Sequence, residues 1–506
     1  MNEAVDLQQL DEQQLRVLAA QLQNQIQTIS LAYDKLKHEM AILKRHKYAR
    51  TSEALNPHQR SLLDEITQED IAAIEEQLAR HEQQLQPEKR EEKKRPKRAP
   101  LPPELPRRTI EHEPDSTRCE CGCQLKRVGE DVSEKLDYIP GTFTVERHVR
   151  GKWVCDSCET LTQAPVPPQV IDKGIPTAGL LAQVLVAKYG DHLPLYRQEK
   201  IFARAGLEIA RSTLADWVGR CGVALEPLVD AMRDELHQQS VLHADETPVA
   251  MLSPGKKKTH KAYVWAYTST SFSGMEAVVY DFAPSRSGEN ARQFLQDWQG
   301  KLVCDDYSGY KASFGERITE IGCMAHARRK FFDLHVANQS TLAAYALDQI
   351  GFLYRIEKQT KELGEDERLR VRQTQSKAIL DELHEWLIRQ RQQVPDGSGT
   401  ARAIDYSLKR WEALTRYCDD GGVPIDNNRV ENQIRPWAIG RNNWLFAGSL
   451  RSGQRAANVM SLIQSAKLNG HDPYAYLKDV LDRLPTHKNN RLEELLPHNW
   501  REPDKV

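Results

Sequence analysis

Three short acidic motifs stand in order along this chain: His243-Ala244-Asp245-Glu246-Thr247-Pro248, Cys304-Asp305-Asp306-Tyr307-Ser308-Gly309-Tyr310 and Asp426-Asn427-Asn428-Arg429-Val430-Glu431-Asn432. The first two end apolar, strand-like runs, and the third opens a helix-like run. Carboxylates on separate elements of one fold suit a pair of divalent cations, which take hard oxygen ligands and stand roughly 3.5–4 Å apart. One carboxylate must bridge the two ions while the others hold one each. The chemistry such a pair supports is phosphoryl transfer, and with it the cutting and joining of nucleic acid strands.

A second group with metal chemistry lies earlier. Five of the nine cysteines fall between 119 and 158: Cys119, Cys121, Cys123, Cys155 and Cys158. In a reducing compartment so tight a cluster reads as a metal site rather than a disulfide set. Cys221, Cys304, Cys323 and Cys418 are scattered and read as small buried apolar residues. A reducing compartment is itself the expectation, because the acidic start Met-Asn-Glu-Ala-Val-Asp has no apolar signal core and no run of about 18 apolar residues follows. The chain is expected to be cytoplasmic, without membrane contact.

These groups must be positioned by several domains, since 506 residues exceed a single core. The net charge of −2 decides nothing, but its distribution does. Residues 86–108 are rich in Lys, Arg and Pro, and read as a flexible basic linker that either tracks a phosphate backbone or is a solvated tether. Before it, Leu22, Ile26, Ile29, Tyr33, Leu36, Met40 and Leu43 recur at alternating four- and three-residue steps, a heptad seam over 5–46. A second amphipathic helix near 68–86 carries Ile71, Ile74, Leu78 and Leu85. The two can pair with each other or with another subunit. Lys44, Arg45, Lys47 and Arg50 between them form a basic end.

Pro176 to about Cys221 reads as helix, turn, helix. Gly206 breaks the chain before a helix opening on Arg211, Ser212 and Thr213, which suits major-groove docking; a plain helical bundle is the alternative. From 240 the pattern changes to strands: 241–250, 262–268, 277–282, 302–306 and 318–325, with a helix over 291–298 and another from His326 to Leu334. This order predicts a mixed α/β sheet. Residues 340–418 are helical and charged, an insertion before the helix that carries Glu431. Asp426 is expected to cap that helix, with Val430, Ile434 and Trp437 on its buried face. Arg455–Leu468 and a stretch after Pro473 complete the helices. His326, Arg328, Arg329 and Lys330 follow the fifth strand, where they can hold a phosphate, His326 being alternatively a core residue. Arg429, Arg435 and Arg441 surround Glu431 in the same way.

In this order the motifs resemble the insertion-sequence-66 family of D-D-E transposases along nearly the whole chain. The matching features are Lys47-Tyr48-Ala49-Arg50-Thr51-Ser52-Glu53, the cysteine module running on through Gly129-Glu130-Asp131-Val132-Ser133-Glu134, the three acidic motifs, and Cys323-Met324-Ala325-His326-Ala327-Arg328-Arg329-Lys330-Phe331. The resemblance implies a ribonuclease-H-like mixed-sheet core with a helical insertion, preceded by coiled-coil, zinc-binding and helix-turn-helix-like regions. Its expected divisions are 1–86, 87–116, 117–162, 174–225, a core of 240–335 with 420–450, an insertion of 336–419 and a C-terminal element of 451–506. Carried over, the catalytic and Mg²⁺ (or Mn²⁺) ligands are Asp245, Asp305 and Glu431. Asp306 stands where the family has glycine and competes with Asp305, whereas strand alternation turns Glu246 away. The zinc ligands are Cys121, Cys155, Cys158 and Cys119, with Cys123 as the alternative fourth, because the family more often has Cys-x-x-Cys at the first knuckle.

The expected activity is cleavage of element ends followed by attack of the freed 3′-OH on target DNA. Expected partners are double-stranded DNA, a second copy of the chain in a synaptic complex, and small accessory proteins, in a bacterial nucleoid-associated setting. The rivals are a non-catalytic DNA-binding regulator and a nuclease of the same fold that cuts without joining.

Overall fold

The computed structural model describes residues 16–40 in part, 68–78, 101–113 apart from 102 and 104, 123–253 apart from 140 and 173, and 259–502. The basic stretches at 44–50 and 87–100, Leu43, Leu85, Cys119 and Cys121 lie outside the described residues. Mixed α/β architecture with mainly helical content is found, as the strand and helix patterns predicted.

Two sheets form the frame. The smaller comprises β1 (Arg107–His112), β2 (Leu125–Ile139), β3 (Thr142–Cys155) and the short β4 (Leu161–Gln163). β2 and β3 make a long antiparallel hairpin, turning where Gly141 holds φ +90°, a conformation that costs glycine little. The larger sheet has the order β7-β6-β5-β8-β9. Its strands are β5 (Val241–Met251), β6 (His260–Ser269), β7 (Val278–Ala283), β8 (Gly300–Cys304) and β9 (Ile318–Gly322). β5, β6 and β7 run antiparallel, and β8 and β9 add parallel to β5.

Chain chemistry explains the details of this sheet. Pro248 sits within the central strand, yet β8 pairs with β5 only as far as His243, so Pro248 faces no ladder on that side and its missing N–H leaves no gap there. β7 is an edge strand whose outward N–H groups invite pairing with another chain. Two serines of a helix satisfy them instead: Val278 N–H donates to Ser465 Oγ at 2.9 Å and Tyr280 N–H to Ser461 Oγ at 2.8 Å.

Helices α1 (Ala178–Leu185), α2 (Leu195–Arg204) and α3 (Arg211–Leu236) follow the hairpin module. The turn after α2 passes through Gly206 at φ +85°, where the sequence placed its break. α3 runs well past Cys221, through Pro227, with Trp217, Cys221, Leu225, Leu228 and Met232 buried. It is thus both the third helix of the motif and a core helix of the molecule. α4 (Gly288–Leu295) joins β7 to β8. After β9 come α5 (Met324–Asn338) and the insertion helices α6 (Thr341–Thr360), α7 (Glu365–Val371), α8 (Lys377–Arg391) and α9 (Gly399–Lys409). Then follow α10 (Asn428–Trp444), α11 (Leu450–Leu468) and α12 (Pro473–Arg483).

Two apolar clusters divide the interior. Val241, Val303 and Ile321 join Met324, Ala327, Phe331 and the insertion helices in one. Leu242, Leu302, β6, β7, α3, α10 and α11 build the larger one.

Of the pairings open to the heptad seam, the described part shows the intramolecular one: Leu36 and Met40 are buried against Ile71 and Ile74. Leu22 and Ile26, further along the same seam, are exposed. The segment 68–78 in turn packs on α3 and α11. Gly219 of α3 makes this possible, since a Cβ there would stand 2.3 Å from the Glu69 carbonyl oxygen. Arg455 of α11 reaches Glu69 at 2.9 Å and Asp70 at 3.1 Å, with all three side chains at most 4% exposed, and Lys188 meets Glu69 at 3.0 Å. Burial pushes the Asp70 carboxyl up against the pull of Arg455.

Removing one partner from such a cluster leaves uncompensated buried charge, at a cost of about 3–5 kcal/mol. Arg455→Met is therefore expected to release 68–78 from α3 and α11. Amide hydrogen exchange should accelerate in 68–78 and stay slow in β5 and β6; unchanged protection of 68–78 would show that apolar packing alone holds it.

Candidate active site

Register and alternation bring the first two acidic motifs together. β5 and β8 are parallel neighbours with Val241 opposite Lys301 and His243 opposite Val303. Two residues on, Asp245 within β5 and Asp305 just past the end of β8 stand at matching height. Side chains alternate across a sheet, so Asp245 shares a face with Val241 and His243, and Asp305 with Val303. Asp245 accepts the Glu246 N–H at 2.8 Å, and Asp305 accepts the Tyr307 N–H at 2.9 Å, a turn that leads the chain away from the strand.

The third acid arrives on α10. Asn427, fully buried, donates from Nδ2 to the Ala244 carbonyl at 2.9 Å and accepts from His243 Nδ1 at 2.9 Å. Its own N–H donates to Cys323 Sγ at 3.2 Å, and the Met324 N–H donates to the Ile425 carbonyl at 3.1 Å. The start of α10 is thereby tied to β5 and to the start of α5, with Glu431 one turn on. Burial holds His243 down to about 4, so the ring is neutral and its Nδ1 proton serves this bond. Burial also pushes the Cys323 thiol up to about 12, so it remains protonated. The expected cap differs in one respect. Asp426 Oδ1 accepts the Asn428 N–H at 3.0 Å, but the helix begins at Asn428 because the Asn427 side chain is committed to β5. Val430, Ile434 and Trp437 form the buried face as expected.

Asp245 lies within electrostatic reach of both Asp305 and Glu431. Burial, then the charges of Glu246, Asp305 and Glu431, hold the Asp245 carboxyl well above its ordinary value, with the Glu246 N–H opposing. The neighbouring negative charges thus add to burial in disfavouring the ionised form of Asp245. Glu431 also has a second neighbourhood: His326 Nδ1 stands 3.7 Å from its Oε1 and Arg329 3.9 Å from its Oε2. Cys323, His326 and Glu431 offer ligand atoms within 4.8 Å of one another.

Asp306, the competitor of Asp305, and Glu246 are both paired with other groups. Asp306 pairs with Arg410, nearly buried, and with Lys311 at 3.1 Å. Partial burial works to raise its carboxyl, but the two cations outweigh it and hold it below the ordinary value. Glu246, on the opposite face, accepts from Tyr310 Oη at 2.8 Å and from Arg286 Nε at 2.7 Å. Arg410 carried no sequence signal, standing 104 residues from Asp306 in the insertion. Asn427 and Tyr310 lay inside the motifs, but their partners were not readable there.

The cationic candidates are distributed as follows. Arg328, Arg329 and Lys330 are exposed on α5 near Glu431, and Arg435 is exposed on α10. Arg429 is engaged at the sheet edge, with the Ser269 carbonyl at 2.6 Å and Glu276 at 2.5 Å, and Arg441 meets the Pro248 carbonyl at 3.2 Å. Arg211, Ser212 and Thr213 open α3 away from this cluster, the Arg211 N–H bonded to Glu199 at 3.0 Å and Ser212 exposed. In the cysteine module, Cys155 ends β3 buried and Cys158 is exposed in the turn that follows. Cys123 donates to Ser157 Oγ at 3.3 Å, so the hairpin brings it to the 155–158 knuckle.

Comparison with known proteins gives concordant matches. The family model described as "Transposase IS66 family" matches residues 173–455, and "IS66 C-terminal element" matches 461–498. The zinc-finger binding domain of transposase IS66 matches 116–159, and "Transposase C of IS166 homeodomain" matches 35–110. Among relatives, uncharacterized protein y4hP of Sinorhizobium fredii is 35% identical over 497 residues, covering 94% of this chain and 89% of the relative. Its y4jD counterpart is 34% identical over 501 residues, covering 95% and 97%. Protein y4qI of the same organism is 37% identical over 430 residues, covering 81% and 80%.

The raised Asp245 carboxyl carries a stability signature. The folded chain binds more protons than the unfolded one between the ordinary carboxyl value and the raised one, so stability falls as pH rises through that window. Asp245→Asn removes the fall. In metal-free buffer at neutral pH its Tm should exceed that of the parent, and the gain should vanish below the unfolded value, where both are neutral. An equal or lower Tm at neutral pH would mean that repulsion does not strain this site.

Proposed function

The chain belongs to the IS66 transposase family, and on that premise we propose that it binds the ends of an insertion sequence and catalyses metal-dependent DNA cleavage and strand transfer. The observation that carries the reading is that Asp245 feels the charges of both Asp305 and Glu431, brought near it by the β5–β8 register and the Asn427 anchor. The order β7-β6-β5-β8-β9, antiparallel then parallel, supports a ribonuclease-H-like core over 240–335 and 420–450, with 336–419 as its insertion.

Asp245, Asp305 and Glu431 are the residues that would hold a pair of divalent cations, Mg²⁺ or Mn²⁺, and the mutual repulsion of the acids fits that role. Bound cations supply Lewis acidity to the attacking water or 3′-OH and to the leaving 3′ oxygen. The protein's own part is position and charge. Asn427 and His243 hold the Glu431 helix against the strand. Arg410 and Lys311 keep Asp306 from competing with Asp305. Arg328, Arg329 and Lys330, exposed beside Glu431, meet the phosphates of DNA, as Arg435 does further along α10. The opening of α3 at Arg211, Ser212 and Thr213 and the zinc module read the element ends.

The family match to a zinc-finger domain supports structural zinc. We assign Cys121, Cys155 and Cys158 to it, with the fourth position lying between Cys119 and Cys123; the contact of Cys123 with Ser157 favours Cys123. Synapsis needs two copies, and Leu22 and Ile26 offer the second copy an exposed continuation of the seam. No helix among the described residues is long and apolar enough to cross a membrane. The working place proposed is the bacterial nucleoid, with small accessory proteins.

The deciding assay supplies element ends, intact or pre-cut, and target DNA with Mg²⁺. Asp245→Asn, Asp305→Asn and Glu431→Gln should each lose cleavage and joining by at least about a hundredfold while still binding ends. Asp306→Asn should retain both steps. Joining of pre-cut ends marks a transposase; cutting without joining marks a nuclease; activity surviving all three triad substitutions would sink the site assignment. For zinc, the purified chain should carry one ion. Cys155→Ser should lose it, and whichever of Cys119→Ser and Cys123→Ser also loses it identifies the fourth ligand.

A further inference from the structure

His326 is the unexplained group at this site. It is the third residue of α5, and its Nδ1 is buried without a hydrogen bond. Glu431 Oε1 is likewise buried without one, and the two atoms face each other at 3.7 Å. That separation is long for a hydrogen bond. It fits two donors of a single cation: atoms each roughly 2.1 Å from one ion, at an angle of about 90–120°, stand roughly 3.0–3.7 Å apart. The two buried atoms are held there by independent anchors. Met324 N–H bonds the Ile425 carbonyl at the start of α5, and Asn427 fixes the start of α10. Cys323 Sγ, the third potential ligand, already accepts the Asn427 N–H and so serves to align the two helix starts.

We propose that His326 Nδ1 and Glu431 Oε1 bind the same cation, so that one of the two ions of the catalytic site has a mixed nitrogen–oxygen ligand set. This rests on the proposed D-D-E reading and extends it by one ligand and by a metal preference. An all-oxygen site suits Mg²⁺, whereas an imidazole nitrogen shifts preference toward Mn²⁺ and other transition ions. The position bearing His326 therefore prefers Mn²⁺, while the position held by Asp245 and Asp305 alone accepts Mg²⁺. Arg329, on the other oxygen of Glu431 and 62% exposed, stays available to DNA.

The test uses the full-length chain with its zinc retained. Mn²⁺ is titrated in, and bound Mn²⁺ is examined by electron spin echo envelope modulation, which detects a coordinated ¹⁴N. The parent should show nitrogen modulation. His326→Gln should lose it, with Mn²⁺ affinity at that position falling about tenfold and Mg²⁺ affinity much less. His326→Asp, which restores a donor without nitrogen, should recover Mn²⁺ affinity with no modulation; this guards against a merely misfolded glutamine variant. Two results overturn the proposal while leaving the triad intact: bound Mn²⁺ in the parent with no nitrogen modulation, or modulation that persists in His326→Gln. If Mn²⁺ binding is indifferent to both Asp245→Asn and Glu431→Gln, the triad reading fails and the proposal with it.

Discussion

Burying the Asp245 carboxyl with the charges of Glu246, Asp305 and Glu431 around it is costly, and the contacts that hold these residues in place order much of the surrounding structure. Asp245 and Asp305 cannot separate, because parallel pairing of β5 and β8 fixes their height and alternation fixes their side. Glu431 is brought by a helix rather than a strand, and a helix start has no ladder to fix it. The buried Asn427 supplies that fixation, satisfying a strand carbonyl and a neutral histidine at once. The buried Asn427 amide is paired at both its oxygen and its nitrogen, which a buried polar link of this kind requires.

The same electrostatics sorts the neighbouring acids. Asp306 and Glu246 are adjacent in sequence to Asp305 and Asp245, and the Glu246 charge bears directly on Asp245. Each is matched by a cation from another part of the chain: Arg410 of the insertion for Asp306, and Arg286 of the β7–α4 connection for Glu246. The insertion is therefore more than a spacer before the last acid. Its core packs on Val241, Val303 and Ile321, and its Arg410 pairs with Asp306 beside Asp305.

A second ionic centre ties the N-terminal part to this core. Glu69 and Asp70 enter a nearly dry setting against Arg455, and Gly219 allows the backbone to come close enough. α11, which carries Arg455, is the helix whose Ser461 and Ser465 close the edge of β7. One helix thus seals the sheet edge and anchors 68–78 beside the larger sheet.

Local patterns in the sequence determined most of the elements and the acids themselves. Apolar, strand-like runs marked all five strands of the larger sheet, Gly206 marked the break between α2 and α3, and Val430, Ile434 and Trp437 marked the buried face of α10. These are decided within a few residues, by backbone sterics and by which side of an element meets water. The length of α3 was not legible, since its lower half is buried by α11 and by other distant segments. Nor was the preference of the heptad seam for a partner within the same chain. The roles of Arg410, of His243 with Asn427, and of His326 opposite Glu431 were decided by the tertiary structure alone. Each depends on a distance between residues that are about a hundred or more positions apart, and no pattern along one chain encodes such a distance until the strands have paired.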